Sequence, residues 1–232
     1  MTTERSLSGL SVLIVGASGG LGSALAADAA GRGATLTLVA RDADRLAAVP
    51  TDGHRVALDL RTPSACEAAV DAAVAHGGKL DVVINAVGVV AFGTVADLSC
   101  DAMEELFLTN TFVPIMLATA ALPHFEPQGV IVNISGVIAE QNLPGMAAYG
   151  ASKAAVKSFD EALAREARRS KVRVIDARPP HTETGLATRP LQGEAPKMPE
   201  GLQPAAVAAR IIAGLVADEK ELSGSDFGDA EG

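Results

Sequence analysis

The chain has 232 residues, a formal net charge of −9 and 48% hydrophobic residues. That length suits one large domain spanning residues 1–232, and the apolar share supports a sizeable core. The acidic balance excludes a binder of phosphate backbones, which needs clustered Lys and Arg, so no nucleic-acid partner is expected.

No apolar run reaches the roughly 18 residues of a membrane span, and residues 1–11 carry no apolar signal core. A cytoplasmic protein without a membrane partner is the expectation. Cys66 and Cys100 suit neither a metal knuckle nor a disulfide framework, and read as small, semi-buried thiols. The four histidines are scattered without ligand spacing, so no metal is expected.

Apolar, β-branched runs alternate with Ala-rich stretches along the chain. Strands are predicted at residues 10–15, 35–40, 55–58, 80–85, 130–134 and 172–177. Helices are predicted at 20–32, 42–48, 63–76, 98–125 (kinked at Pro114), 149–169 and 205–218. Repeated strand–helix units with continuous apolar strands imply a parallel sheet covered on both faces. The fold class is therefore α/β, a single-domain, doubly wound, Rossmann-like three-layer arrangement. Residues 179–204 hold six of the twelve prolines and read as a functional lid, mobile without ligand. Residues 219–232 form an acidic tail, with 221–227 as a candidate last strand. The basic residues Arg165, Arg168, Arg169 and Lys171 close a predicted helix and complement its dipole.

The first strand runs into Gly16-Ala17-Ser18-Gly19-Gly20-Leu21-Gly22. A glycine-rich turn between strand and helix lets backbone N–H groups approach a pyrophosphate; the alternative is a merely tight turn. The second strand ends in Ala40-Arg41. An acid there would accept from the ribose hydroxyls of NAD. Ala40 offers none, while Arg41 suits a 2′-phosphate or else pairs with Asp42 or Asp44. NADP(H) is thus expected in preference to NAD(H). Asp59-Leu60 and Asn85-Ala86-Val87-Gly88 end the third and fourth strands, on the edge where such sheets bind ligands. Asp59 reads either as an acceptor for the adenine amino group or as a helix cap or surface carboxylate. Asn85 to Gly88 would pass the adenosine ribose.

Tyr149 is the only tyrosine, and Lys153 lies one helical turn further on. At i and i+4 they face one side of a helix, and a nearby ammonium favours phenolate over phenol. Such a tyrosine exchanges a proton with an alkoxide or alcohol as hydride moves; the alternative is a structural tyrosine.

With these motifs in order, the chain resembles the short-chain dehydrogenase/reductase family over nearly its whole length. The match extends to Asn110, to Asn133-Ile134-Ser135 and to Pro179-Pro180-His181-Thr182-Glu183-Thr184. The resemblance implies an oxidoreductase in which Tyr149 is the general acid/base and Lys153 binds the nicotinamide ribose. It also implies that Asn110 holds a relay water, and that Pro179, Thr182 and Thr184 lie against the cofactor. It further implies a homodimer or homotetramer through the helices at 98–125 and 149–169.

Two departures stand out. Pro180 replaces a usual glycine. Gly136 occupies the position, thirteen residues before the tyrosine, where the family carries its catalytic serine. Ser135, one residue earlier, takes over that role, or another donor does, or activity is lost. The substrate would be a small carbonyl or alcohol in an apolar pocket formed by Val137, Ile138, Leu143, Met146, Leu186 and Leu191, with Met198 and His181 nearby. The rival expectation is a non-catalytic NADP(H)-binding sensor or scaffold.

Overall fold

A computed structural model describes residues 6–228. Seven parallel strands form one sheet in the order β3-β2-β1-β4-β5-β6-β7. They are β1 (Ser11–Val15), β2 (Thr35–Ala40), β3 (His54–Ala57), β4 (Leu80–Asn85), β5 (Phe125–Ile134), β6 (Arg173–Ala177) and β7 (Glu221–Leu222). The order reverses between β1 and β4, which run side by side with Val12 opposite Val82 and Val15 opposite Asn85. At such a switch point the two adjacent connections leave for opposite faces, and a crevice opens at the carboxyl ends of the strands.

Side chains alternate across β1 because its period is two. Val12 and Ile14 enter the core under helices α1 (Gly20–Gly31) and α7 (Pro204–Val216). Leu13 and Val15 enter the opposite layer, with Val70 of α3 (Pro63–Gly77) and Leu117 of α5 (Val113–Ala121). Each of these buried aliphatic side chains contributes about 1.5–3 kcal/mol. Continuous apolar strands are what a sheet buried on both faces requires.

The helix expected over residues 98–125 is divided. Helix α4 (Cys100–Phe107) leads into a wide π turn at Leu108–Phe112, then α5, then a 3-10 turn at Leu122–His124. Pro114 has no N–H for the Asn110 carbonyl four residues back, and the wide turn falls at that place. Contrary to the expectation that no run is long enough, the Cys100–His124 run is by length and composition apolar enough to cross a membrane, and half of that window is buried inside the protein. Strand β5 begins five residues earlier than expected, because Phe125 pairs with Leu80 before a register shift. Strand β7 is two residues long, and Gly224–Phe227 is a 3-10 turn rather than its continuation. Cys66 is buried and Cys100 exposed, so only one of the two is shielded.

Candidate active site

The carboxyl ends of the strands open into a cleft of about 600 Å³. Its floor at one end is the turn after β1. Gly16 has φ +77°, and a Cβ there would lie 2.7 Å from the Ala86 backbone, so the close approach of this turn to the strand β4 exit requires glycine. A Cβ on Gly22 would lie 2.2 Å from the Gly16 carbonyl oxygen. Gly19 precedes α1 without any side-chain cap, which leaves the first N–H groups of the helix facing the cleft. Ser18, Gly19, Gly20, Leu21 and Gly22 all line it.

Arg41 is exposed at the end of β2 and lines the same cleft. Asp42 is engaged elsewhere: its carboxylate accepts from the Arg45 backbone N–H at 3.0 Å and caps α2 (Ala43–Ala47). Arg45, which the sequence reading passed over, also lines the cleft and donates from Nη2 to the Ser18 carbonyl at 3.0 Å. Its spacing of four residues from Arg41 was the available signal. Asp59 and Leu60 line the cleft too. Asp59 is bound by Arg61, whose Nε donates at 2.9 and 3.0 Å and which also reaches Glu105 at 2.8 Å. That guanidinium holds the Asp59 carboxyl below its ordinary range. Asp59 is therefore half of an exposed ion pair with Arg61 at the edge of the cleft.

Ala86, Val87, Gly88 and Val89 form the wall above β4. Asn85 belongs behind that wall. Its side chain is buried, donates to Asn133 at 3.2 Å and accepts from Val87 N–H at 3.2 Å, so it shapes the wall instead of contacting a ligand. Asn110 is likewise buried. Its amide accepts from Val89 N–H and donates to the Val89 carbonyl, both at 2.9 Å, and donates to Ser152 at 3.0 Å. The side chain is a clamp on Val89.

Tyr149 and Lys153 project from α6 (Ala147–Glu166) into the cleft, one turn apart. Tyr149 packs against the Val90, Phe92, Ile138 and Met146 cluster. Burial pushes its phenol up to about 12. Lys153 donates from Nζ to the Ile134 carbonyl at 2.7 Å. Burial pulls it down to about 8, against the opposing influence of Asp176. The expected lowering of the tyrosine by the ammonium is thus not the ruling effect; desolvation dominates.

Ser135 departs from expectation. It is fully buried, and its hydroxyl donates to Asp176, itself paired with Arg178. Turned that way, the hydroxyl is not presented to a substrate oxygen, because Asp176 on the neighbouring strand is a stronger acceptor than any carbonyl. The backbone N–H groups of Gly136 and Val137 are also used, by the Ala177 and Pro179 carbonyls. Gly136 itself has φ +80° and ψ 159°, a conformation open essentially to glycine alone. A serine there finds space, with Pro179 O 3.7 Å from its Cβ, but at a backbone cost of about 1–3 kcal/mol.

The loop after β6 closes the other side. Pro179, Pro180, His181, Thr182 and Thr184 line the cleft. Thr182 donates to the Pro180 carbonyl at 2.9 Å and bridges to Leu202, and His181 lies 3.2 Å from the Glu183 carboxylate. Thr184 crosses directly over Gly20, where a Cβ would lie 2.8 Å from its Cα. Beyond it the chain is docked on the loop after β4: Leu191 N–H donates to the Val90 carbonyl at 2.8 Å and Phe92 N–H to the Gln192 carbonyl at 2.9 Å. The Gln192 side chain accepts from Ser99 N–H and donates to the Asp97 carbonyl. These bonds fasten Leu191 and Gln192 to residues 90–99. Val137, Ile138, Leu143, Met146, Leu186 and Met198 line the cleft near Tyr149, whereas Leu191 is exposed and does not.

The short chain dehydrogenase family model matches residues 11–195. This chain belongs to that family of oxidoreductases. Among its relatives is a "Dehydrogenase/reductase SDR family protein 7-like" from Anopheles gambiae, 30% identical over 94% of this chain and 75% of the relative. Two solved structures share the fold. A short chain dehydrogenase from Burkholderia cenocepacia in complex with NADP has a TM-score of 0.83 at 24% identity, covering 96% of this chain and 99% of that one. A short chain dehydrogenase/reductase from Burkholderia phymatum in complex with NAD has a TM-score of 0.85 at 24% identity, covering 94% and 90%.

Proposed function

We propose that the protein interconverts a carbonyl and a secondary alcohol on a small, largely apolar molecule, with NADP(H) preferred over NAD(H). The observation that carries this reading is the placement of Tyr149 and Lys153 in the cleft whose far end is the glycine turn. The residues present fit a dinucleotide: the uncapped N-terminus of α1 suits a diphosphate, and Gly88 passes within reach of Lys153. Arg41 and Arg45 offer two guanidinium groups where a 2′-phosphate would lie, without an acid at Ala40 to favour a free ribose. When bound, the nicotinamide would supply or accept the hydride.

The protein's own part is positional and acid–base. Tyr149 holds a proton on its phenol beside the carbonyl oxygen, and the apolar cluster around it excludes water. Lys153, one helical turn from Tyr149, is anchored by its bond to the Ile134 carbonyl. A homodimer or homotetramer through α4, α5 and α6 remains part of the proposal, supported by Phe112, which is 53% exposed.

A second reading is a non-catalytic NADP(H)-binding protein. Gly136 at the serine position and the commitment of the Ser135 hydroxyl to Asp176 favour it. Incubating the protein with NADPH or NADH and a broad panel of ketones, aldehydes and quinones separates the two. Carbonyl-dependent oxidation, faster with NADPH, is the expected result. Tight NADPH binding with no oxidation across the panel supports the second reading instead.

A further inference from the structure

Lys153 is buried, and the acceptor of its Nζ is the neutral Ile134 carbonyl. An ammonium in an apolar pocket gives up its proton readily unless a carboxylate nearby opposes the loss. The titratable and charged groups around it come from a few elements. Tyr149 lies one turn before it on α6, and Asp160 two turns after. Asp176 comes from β6, and Arg178 follows that strand. The exit of β4 brings Gly88, where a Cβ would stand 3.6 Å from Nζ and 3.7 Å from the uncharged Asn110 amide oxygen. His181, in the loop after β6, is engaged by Glu183.

The sheet decides where Asp176 points. Strands β5 and β6 run in register with Asn133 beside Asp176, and paired neighbours in a parallel sheet share a face. That face is the one under α6. The Asn133 amide donates to Asp160 of α6 at 2.6 Å, and Ile131 and Val174 pack with Leu163 of the same helix. Ser135, two residues beyond Asn133, gives its hydroxyl to the Asp176 carboxylate. Asp176 is thus bonded to the residue next to Ile134, the anchor of Lys153. Arg178 Nη1 donates to the other oxygen of Asp176, so the carboxylate is fixed at both ends. Arg178 is also shared with Glu140 at 3.3 Å and Glu221 at 3.0 Å, and does not cancel Asp176 alone. Asp160 is the poorer counter-charge. Burial holds its carboxyl well above the ordinary range, and Oδ2 has no hydrogen-bond partner among the described residues. Asp176 acts on Lys153 in the direction required, upward against burial.

We propose that Asp176 is a positioning residue of the cleft: its carboxylate, fixed by Ser135 and Arg178, is the buried counter-charge that keeps the Lys153 ammonium in place. Its meaning for catalysis rests on the acid–base reading above.

The test is nuclear magnetic resonance of the full chain carrying carbon-13 lysine, following the Lys153 Cε signal with pH. Lys153→Arg identifies that signal. The wild-type midpoint is expected at about 8. Asp176→Asn keeps the shape and removes the charge, and should lower the midpoint by about one pH unit or more. Ser135→Ala removes one bond to the carboxylate but not its charge, and should leave the midpoint in place. In carbonyl reduction the alkaline fall of kcat/KM should move to lower pH in Asp176→Asn by the same amount. An unchanged Lys153 midpoint in Asp176→Asn overturns the proposal. So does an equal displacement in Ser135→Ala, which would make the effect one of packing. Circular dichroism checks the fold, and Asp176→Ser is read where Asp176→Asn does not fold. Loss of the fold in both makes Asp176 a purely structural residue and overturns the proposal as well. A wild-type chain without carbonyl-dependent NADPH oxidation overturns the functional reading instead, and the lysine titration still decides on the counter-charge.

Discussion

At the scale of single residues, Tyr149 and Lys153 lie one helical turn apart in the cleft, and burial shifts both, the phenol upward and the ammonium downward. Tyr149, Lys153 and Gly16 to Gly22 were identifiable because each motif has a fixed spacing, and all of them except the buried Ala17 border one cleft. Ser135 was not, because its partner Asp176 is 41 residues away on another strand. Asn85 showed as a polar residue at a strand end and Asn110 as a family match inside a predicted helix, but only the folded chain reveals that their amides bond the backbone of the cleft wall. The Lys153 ammonium has a testable consequence. Its pKa is pulled down to about 8, so the charge is present below that value and is lost as pH rises through it. Tyr149, raised to about 12, stays protonated throughout. For carbonyl reduction, kcat/KM reports groups of the free protein. It should be level near neutrality and fall above about pH 8, and Lys153→Arg should move that fall to higher pH because a guanidinium keeps its proton. A wild-type profile that stays flat up to about pH 10 would show that the Lys153 charge is not needed.

At the scale of elements, the strands were the most readable, since four to six consecutive apolar residues have no other stable place than a doubly covered sheet. The exceptions have local causes. Glu126-Pro127-Gln128-Gly129 looks like a turn, yet it is an irregular start to β5, with Gln128 at φ +80° and its N–H donating to the Lys171 carbonyl. The long apolar helix hid its π turn because periodicity alone does not register one extra residue per turn. The lid was readable as irregular but not as docked, since its contacts with residues 90–99 are backbone bonds between distant segments. Gln192 contributes both ends of its amide to that docking. Gln192→Ala should therefore speed amide exchange at Leu191 and Phe92, while β1 and β4 exchange as before. Exchange at Leu191 and Phe92 that matches the wild type would mean that the backbone bonds alone hold the lid.

At the scale of the whole molecule, the parts converge on one edge of the sheet. The glycine turn enters from β1, the wall from β4, Tyr149 and Lys153 from the helix after β5, and the lid from the end of β6. That convergence follows from right-handed crossovers on a parallel sheet, which bring every strand's carboxyl end to the same side. It explains why residues separated by more than a hundred positions share a cleft, and why motif order alone predicted the architecture. The central claim, that this cleft performs proton-coupled hydride exchange through Tyr149, is tested most directly by Tyr149→Phe. NADPH affinity by calorimetry and NADPH oxidation against an accepted carbonyl substrate are measured on the same preparation. Removing only the hydroxyl should leave the affinity within about twofold and reduce turnover by two or more orders of magnitude, the scale of a lost general acid. Full turnover by Tyr149→Phe on that substrate would contradict the account.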